Sequence, residues 1–332
     1  MTAITHGWLG ELHAHSTSAS VTGRRRLTTD MVSHLDQRLD HLRRLDDVLG
    51  GAQLRRAALA ECELVQHLAA DTIYDDAVAR QLYSTISEAA RICGWQHFDA
   101  GLHAAAQRFY TTSLRASATG GDPQAGAHTL SFMAIQTYSV GSPLDAVGLV
   151  EAAVEQTRQT VTPRTAAMLH VRLARALSKT PDGAPRCLAE LDRAQDAYAR
   201  GTHDDDPPWT YWLTDGELEM LAGSCALDPG RPDRALDHFA TARQLHYAAE
   251  GYVRDDALYL TRAAVAHLDQ GDVDQACAVA RQALARSSTV DSTRPTGALR
   301  EFRTRLSTEH PRHHEAQAFI AQHREAMAYS VR

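Results

Sequence analysis

Apolar residues along this chain recur at three- and four-residue steps, with polar and charged residues between them. Met31, Leu35, Leu39, Leu42 and Leu45 set the pattern, and that spacing places all five on one face of a helix. Alternating Val/Ile/Thr runs are scarce, and no Asn-Gly turn separates two apolar strands. Ala, Leu, Arg, Glu and Gln fill the long stretches instead, and these residues give up little on entering a helix. The clearest segment runs from Ala257 to Arg286. It predicts a first helix carrying Ala263 and Ala264, a turn at Gly271-Asp272, and a second helix with Ala276, Ala280, Ala283 and Leu284 in line. Glycine at the turn lets the first helix stop in a left-handed conformation, and aspartate caps the next helix.

That unit recurs upstream. Gly101 precedes Ala106, Tyr110, Ser113 and Leu114, with Gly94 in the helix before it. Gly141 precedes Ala146, Val150 and Ala153, with Ala134 before it, and Gly230 precedes Ala235, Phe239 and Ala242, with Gly223 before it. A weaker copy sets Asp182-Gly183 ahead of Cys187, Leu191 and Ala194, but Arg175 stands at its small position. From Gly101 to Gly141, Asp182, Gly230 and Gly271 the steps are 40, 41, 48 and 41 residues. Five copies of one helix-turn-helix unit predict an all-α array.

Composition narrows the function classes. Of 332 residues, 44% are hydrophobic and 23% charged, as in a globular protein, and no apolar run reaches the roughly eighteen residues of a membrane span. Met1 to Gly23 lacks the basic start and apolar core of a secretory signal. The net charge of -7 argues against a broad basic surface for nucleic acid. The five cysteines form no C-x-x-C pair and read as reduced core residues of a cytosolic protein.

The small residue in the first helix, the glycine turn, and the Ala-x3-aromatic-or-small-x2-Ala run in the second resemble tetratricopeptide (TPR) repeats, with a period longer than the usual 34 or so. Gly94-Trp95-Gln96-His97-Phe98-Asp99-Ala100-Gly101, Asp204-Asp205-Asp206-Pro207-Pro208-Trp209 and Gly271-Asp272-Val273-Asp274-Gln275-Ala276-Cys277 look like the TPR sensor region of actinobacterial XRE-family transcriptional regulators. So does Gly23-Arg24-Arg25-Arg26 through Leu45-Asp46-Asp47-Val48-Leu49-Gly50-Gly51. The likeness covers about residues 23 to 325. It implies a right-handed solenoid of about five helix pairs over 85–310, preceded by N-terminal helices over 23–84 and closed by a capping helix over 311–332. Residues 1–22 are expected to be a flexible segment, too short for the helix-turn-helix domain of that family.

By the same resemblance the first helix of each pair lines a concave groove. The inward positions include Arg91, Trp95, Phe98 and Asp99; Ser131, Ile135 and Tyr138; Met220 and Ser224; and Thr261. Mixed aromatic and polar chemistry suits a peptide or a small amphipathic ligand. The run Asp204-Asp205-Asp206-Pro207-Pro208-Trp209-Thr210-Tyr211-Trp212 coincides with the 48-residue step and is an insertion. Its aspartates read as caps of the following helix and its aromatics as packing; equally, Trp209, Tyr211 and Trp212 read as an aromatic wall for a cationic or sugar-like ligand.

The histidines at 13 and 15, 34 and 41, 246 with Glu250, and 310, 313 and 314 form no zinc signature, so no metal or other cofactor is expected. Arg24, Arg25 and Arg26 read as a solvated helix entry balanced by Asp30, Asp36 and Asp40. No catalytic motif is present in a suitable context. The expectation is a cytoplasmic sensor or adaptor whose partner is a peptide, a small molecule, another protein or a second copy of the chain, without direct DNA or membrane binding. The alternative is an enzyme or accessory protein of natural-product biosynthesis, with Asp99, His128 and Asp228 as the acid/base candidates.

Overall fold

The computed structural model describes residues 25–245, 252–290 and 292–329. Residues 1–22, Arg24, His13, His15, and the pair His246 and Glu250 lie outside them. The protein is all-α, with fourteen α-helices and one pair of two-residue strands among the described residues. The apolar stripe of α1 (Thr29–Leu49) is inserted against α2 (Gly51–Asp71) and α3 (Asp76–Asp99). Leu39 and Leu42 pack there with Leu54, Ala58 and Cys62 of α2 and Ala89, Ala90, Ile92 and Cys93 of α3. The stripe's ends, Met31 and Leu45, stay exposed.

Arg26 is solvent-exposed as expected, but Arg25 and Arg26 do not stand at a helix entry. They form strand β1, which pairs in parallel with β2 (Thr72–Ile73). Arg26 lies 3.7 Å from Asp75, whereas Asp40 pairs with Arg43 and Arg44 of its own helix instead of balancing the cluster.

From α3 onward the helices come in pairs: α3 with α4 (His103–Gly120), α5 (Pro123–Val140) with α6 (Pro143–Thr157), and α7 (Pro163–Leu177) with α8 (Ala184–Tyr198). Next come α9 (Asp215–Leu227) with α10 (Pro232–Gln244), α11 (Val253–Asp269) with α12 (Val273–Ser287), and α13 (Thr293–Glu309) with α14 (His314–Tyr329). Starts are set by side chains that satisfy free N–H groups. Asp122, Ser142, Thr162, Thr214 and Asp272 each accept from the backbone N–H three residues on, and Pro123, Pro143 and Pro163 follow three of these caps. Gly101, Gly230 and Gly271 turn at positive φ, as the repeat requires. Gly141 makes its turn at φ -140 and Gly183 at φ -81, so those two copies close differently.

Helix pairs approach closely where the sequence has a small residue. A Cβ on Gly94 would sit 2.4 Å from the Tyr110 ring, and one on Gly223 would sit 2.7 Å from the Phe239 ring. Each ring occupies the space that glycine leaves. In the weaker copy Arg175 is nevertheless buried, donating to Ser178 Oγ at 2.6 Å.

The chain forms two compact units. The first holds residues up to Asp46, Gly51–Phe98 and Leu102–Trp212; the second holds Asp47–Gly50, Asp99–Gly101 and the chain from Leu213 on. Within the first, α6 packs on α7 and α5 also touches α7; within the second, α11 packs on α9, α10 and α13, and α12 on α14. Inside each unit the pairs thus lean on their sequence neighbours, as in a helical solenoid. Two expected boundaries fall elsewhere. Residue 84 lies inside α3, and the C-terminal helix is the second member of a pair with α13. The division at Trp212 falls in the insertion, which contains a short 3-10 helix over Pro208–Trp212. Asp206 caps backward, accepting from the His203 N–H at 2.8 Å, and Thr214 caps α9 instead of the aspartate run.

Candidate functional site

Two helices of the first unit carry polar residues at helical spacing on facing sides. Asp36, Asp40 and Arg43 of α1 lie within one stripe, and Gln81, Thr85, Glu88 and Arg91 of α3 lie within another. They meet as a network. Arg43 donates to Glu88 Oε1 at 2.7 Å and to Asp40 Oδ1 at 3.0 Å. Arg91 grips Glu88 with two bonds, Nε to Oε2 at 2.9 Å and Nη2 to Oε1 at 2.7 Å, the fork geometry a guanidinium offers a carboxylate. Asp36 accepts from Thr85 Oγ1 at 2.6 Å and from Gln81 Nε2 at 3.3 Å.

Helix α5 adds His128, whose Nδ1 is 3.4 Å from Glu88 Oε2, while its Nε2 is buried without a hydrogen-bond partner. Trp209 of the insertion stacks on the imidazole at 3.7 Å and 11° between planes. Phe132 meets His128 edge-on at 5.1 Å, Trp95 meets Phe132 edge-on at 5.0 Å, and the Arg91 guanidinium lies 4.3 Å from the Phe132 centroid. The indole of Trp95 donates to Asp46 Oδ2 at 2.9 Å. The layers therefore alternate charge and ring, each favourable for the next.

This packing fixes protonation. Burial raises the Glu88 carboxyl, but the charges of Arg91 and Arg43 and the nearby His128 outweigh it and hold the group well below the usual carboxylate range. Burial, reinforced by the Arg91 charge, pushes His128 down to about 3 against the pull of Glu88. It is neutral near pH 7. Burial raises Asp36, opposed by its bonds from Thr85 and Gln81.

Beside the network lies a cavity of about 390 Å³ between α1, α3, the start of α5 and the insertion. Its lining includes Asp36, Asp40, Arg43, Glu88, Asp122 and Trp209. A cavity of this size holds a small organic molecule.

The expected groove residues separate. Arg91, Trp95 and Trp209 join around this network. Phe98, Ser131 and Ile135 are buried in the first unit, and Ser131 donates to the His128 carbonyl. Tyr138 is half-buried with Arg175 and Lys179 near its ring, Tyr211 lies against Arg44 at 4.4 Å, and Trp212 against Arg172 at 4.8 Å. In the second unit Met220, Ser224 and Thr261 are buried, the two hydroxyls returned to their own helices. Asp99 is buried in that unit and accepts from Ser292 Oγ at 2.8 Å, while Asp228 is exposed at the end of α9. Of the three acid/base candidates, His128 belongs to the first unit and Asp99 and Asp228 to the second.

Sequence reasoning missed Asp36, Asp40, Arg43 and Glu88 as a site. Asp36 and Asp40 looked like solvated balance for arginines upstream, and the signal lay in matching polar stripes on helices 45 residues apart. Among the described residues no three His, Cys, Asp or Glu side chains are grouped to hold a metal, and no helix is long and apolar enough to cross a membrane. The described cysteines at 62, 93, 187, 225 and 277 are buried and form no disulfide. No family model matches the chain, and comparison with curated proteins gives none that is similar.

Proposed function

We propose that the protein is a non-enzymatic sensor or adaptor that binds a small molecule in the first-unit cavity. The observation that carries this reading is a preformed cavity of about 390 Å³ lined by the Arg43–Glu88 ion pair, which Arg91 also grips, with Trp209 in its wall. Charged groups held in place by one another offer a ligand a fixed electrostatic surface. His128, the one imidazole in the network, is held neutral by burial and is almost inaccessible to solvent.

The repeated helix pairs and the resemblance to the sensor region of actinobacterial XRE-family regulators favour a regulatory role in the cytoplasm. In this role the TPR-like units pass ligand occupancy to a protein partner or a second copy of the chain. With a net charge of -7 the protein does not hold duplex DNA by itself. A gel-shift assay at physiological salt gives no specific retardation on this account, and tight sequence-specific retardation contradicts it. The binding function is tested by denaturing the purified protein and searching the released fraction by mass spectrometry. A stoichiometric small molecule supports the cavity, and turnover of such a molecule by the protein would replace the sensor with an enzyme.

A further inference from the structure

The cavity also constrains the charge of its occupant. Two of its lining carboxylates, Asp36 and Asp122, have no arginine, lysine or histidine within ion-pair distance among the described residues. Asp36 is held by neutral donors, the Thr85 hydroxyl and the Gln81 amide, and Asp122 accepts the Ala125 N–H as the cap of α5. Arg43 also lines the cavity. Its side chain is 10% exposed, its two terminal nitrogens are committed to Glu88 and Asp40, and its buried Nε–H has no acceptor. Trp209 adds a ring whose electron-rich π-system attracts cations.

We propose that the ligand is a small organic amine. Its ammonium meets Asp36 and Asp122 beside Trp209. This assignment rests on the cavity being a ligand site. An acidic molecule meets four lining carboxylates, Asp36, Asp40, Glu88 and Asp122, against one lining arginine, Arg43.

The test uses the full chain and two matched sets of probes: N-methylglucamine, sorbitol and gluconate, then glucosamine, glucose and glucuronate. Each set keeps the polyol frame and changes its charge. The melting temperature is followed against probe concentration, because a ligand that binds only the folded state raises it saturably. The expected result is a saturable rise with the amines, absent with the neutral and acidic members. Asp36→Asn and Asp122→Asn each weaken the amine response by about tenfold, while Asp192→Asn on α8 leaves it unchanged. Asparagine keeps an acceptor for Thr85 and for the Ala125 cap, so helicity by circular dichroism stays as in the parent protein. No response to either amine, an equal response to the neutral members, or amine binding indifferent to both substitutions overturns the proposal. Binding of sorbitol or gluconate that is lost in Trp209→Ala removes the amine class and keeps the cavity as a site. Silence from all six probes, with no small molecule released from the purified protein, removes both.

Discussion

Each unit sets a partly buried carboxylate between two arginines, and the two arrangements differ in what surrounds them. Glu88 in the first unit takes Arg43 at 2.7 Å and Arg91 in a two-bond fork, with His128, Trp209 and a cavity alongside. Asp255 in the second takes Arg254 at 3.4 Å, its neighbour in sequence, and Arg294 at 3.3 Å, which ties α11 to α13. Burial raises both carboxyls and the flanking guanidinium charges pull both below their ordinary values. The second arrangement is a brace between helices. The first is a brace whose other side is a cavity wall, so one ionic motif serves packing alone in one place and also borders a cavity in the other.

The strongest way to break the comparison is to remove the carboxylate charge. Glu88→Gln leaves Arg43 and Arg91 buried without their shared partner, and the expected loss is about 3–5 kcal/mol of unfolding free energy. Asp255→Asn, with longer contacts and more solvent, should cost less, about 1–3 kcal/mol. Urea denaturation followed by circular dichroism measures both, and equal losses would mean that the shorter fork adds nothing.

Close helix approach gives the next effect. Gly94→Ala drives a methyl into the fully buried Tyr110 ring and should cost about 1–3 kcal/mol. Gly223→Ala meets the Phe239 ring at 2.7 Å and should cost no more. A neutral Gly94→Ala in thermal melts would show that the pair can spread.

The helix pairs were legible because their code is local. Gly94 with Tyr110 and Gly223 with Phe239 sit at the same separation in one helix-turn-helix, so period and small residues announced the contact. The cavity was not legible, because it joins α1, α3 and the insertion across long stretches of chain. Asp36 and Asp40 carry no mark distinguishing an inward charge from a solvated one. The Asp-Pro-Pro-Trp run stood out, but nothing local said that Trp209 would stack on His128, whose own neighbours in sequence are apolar or small. The repeat resemblance also misassigned the open surface: Ser131, Ile135, Met220, Ser224 and Thr261 are consumed by packing and by bonds within their helices.

The units should respond to pH from opposite sides. His128 is held below its ordinary 6.5, so the unfolded chain binds the proton more readily, and the stabilisation falls as pH drops from 6.5 toward about 3. Tyr259, buried and hydrogen-bonded to Glu217, is held well above 10, chiefly by burial. Its stabilisation is complete below pH 10 and is lost as pH rises beyond it. Each limb has a slope of at most about 1.4 kcal/mol per pH unit. His128→Gln should flatten the acid limb and Tyr259→Phe the alkaline one; limbs unchanged in these variants would place the titrations elsewhere. The smallest effect is expected at Gly148, exposed inside α6 with open space where an alanine methyl would sit. Alanine there should stabilise by about 0.5–1 kcal/mol in the same melts.

The central claim is that the first-unit cavity holds a small molecule, and native mass spectrometry of the intact chain tests it most directly. Protein purified gently from its own cells should fly with a discrete non-covalent adduct, and Trp209→Ala purified in parallel should fly without it while keeping its helicity. A parent protein of bare mass, or an adduct retained equally by Trp209→Ala, would contradict the account.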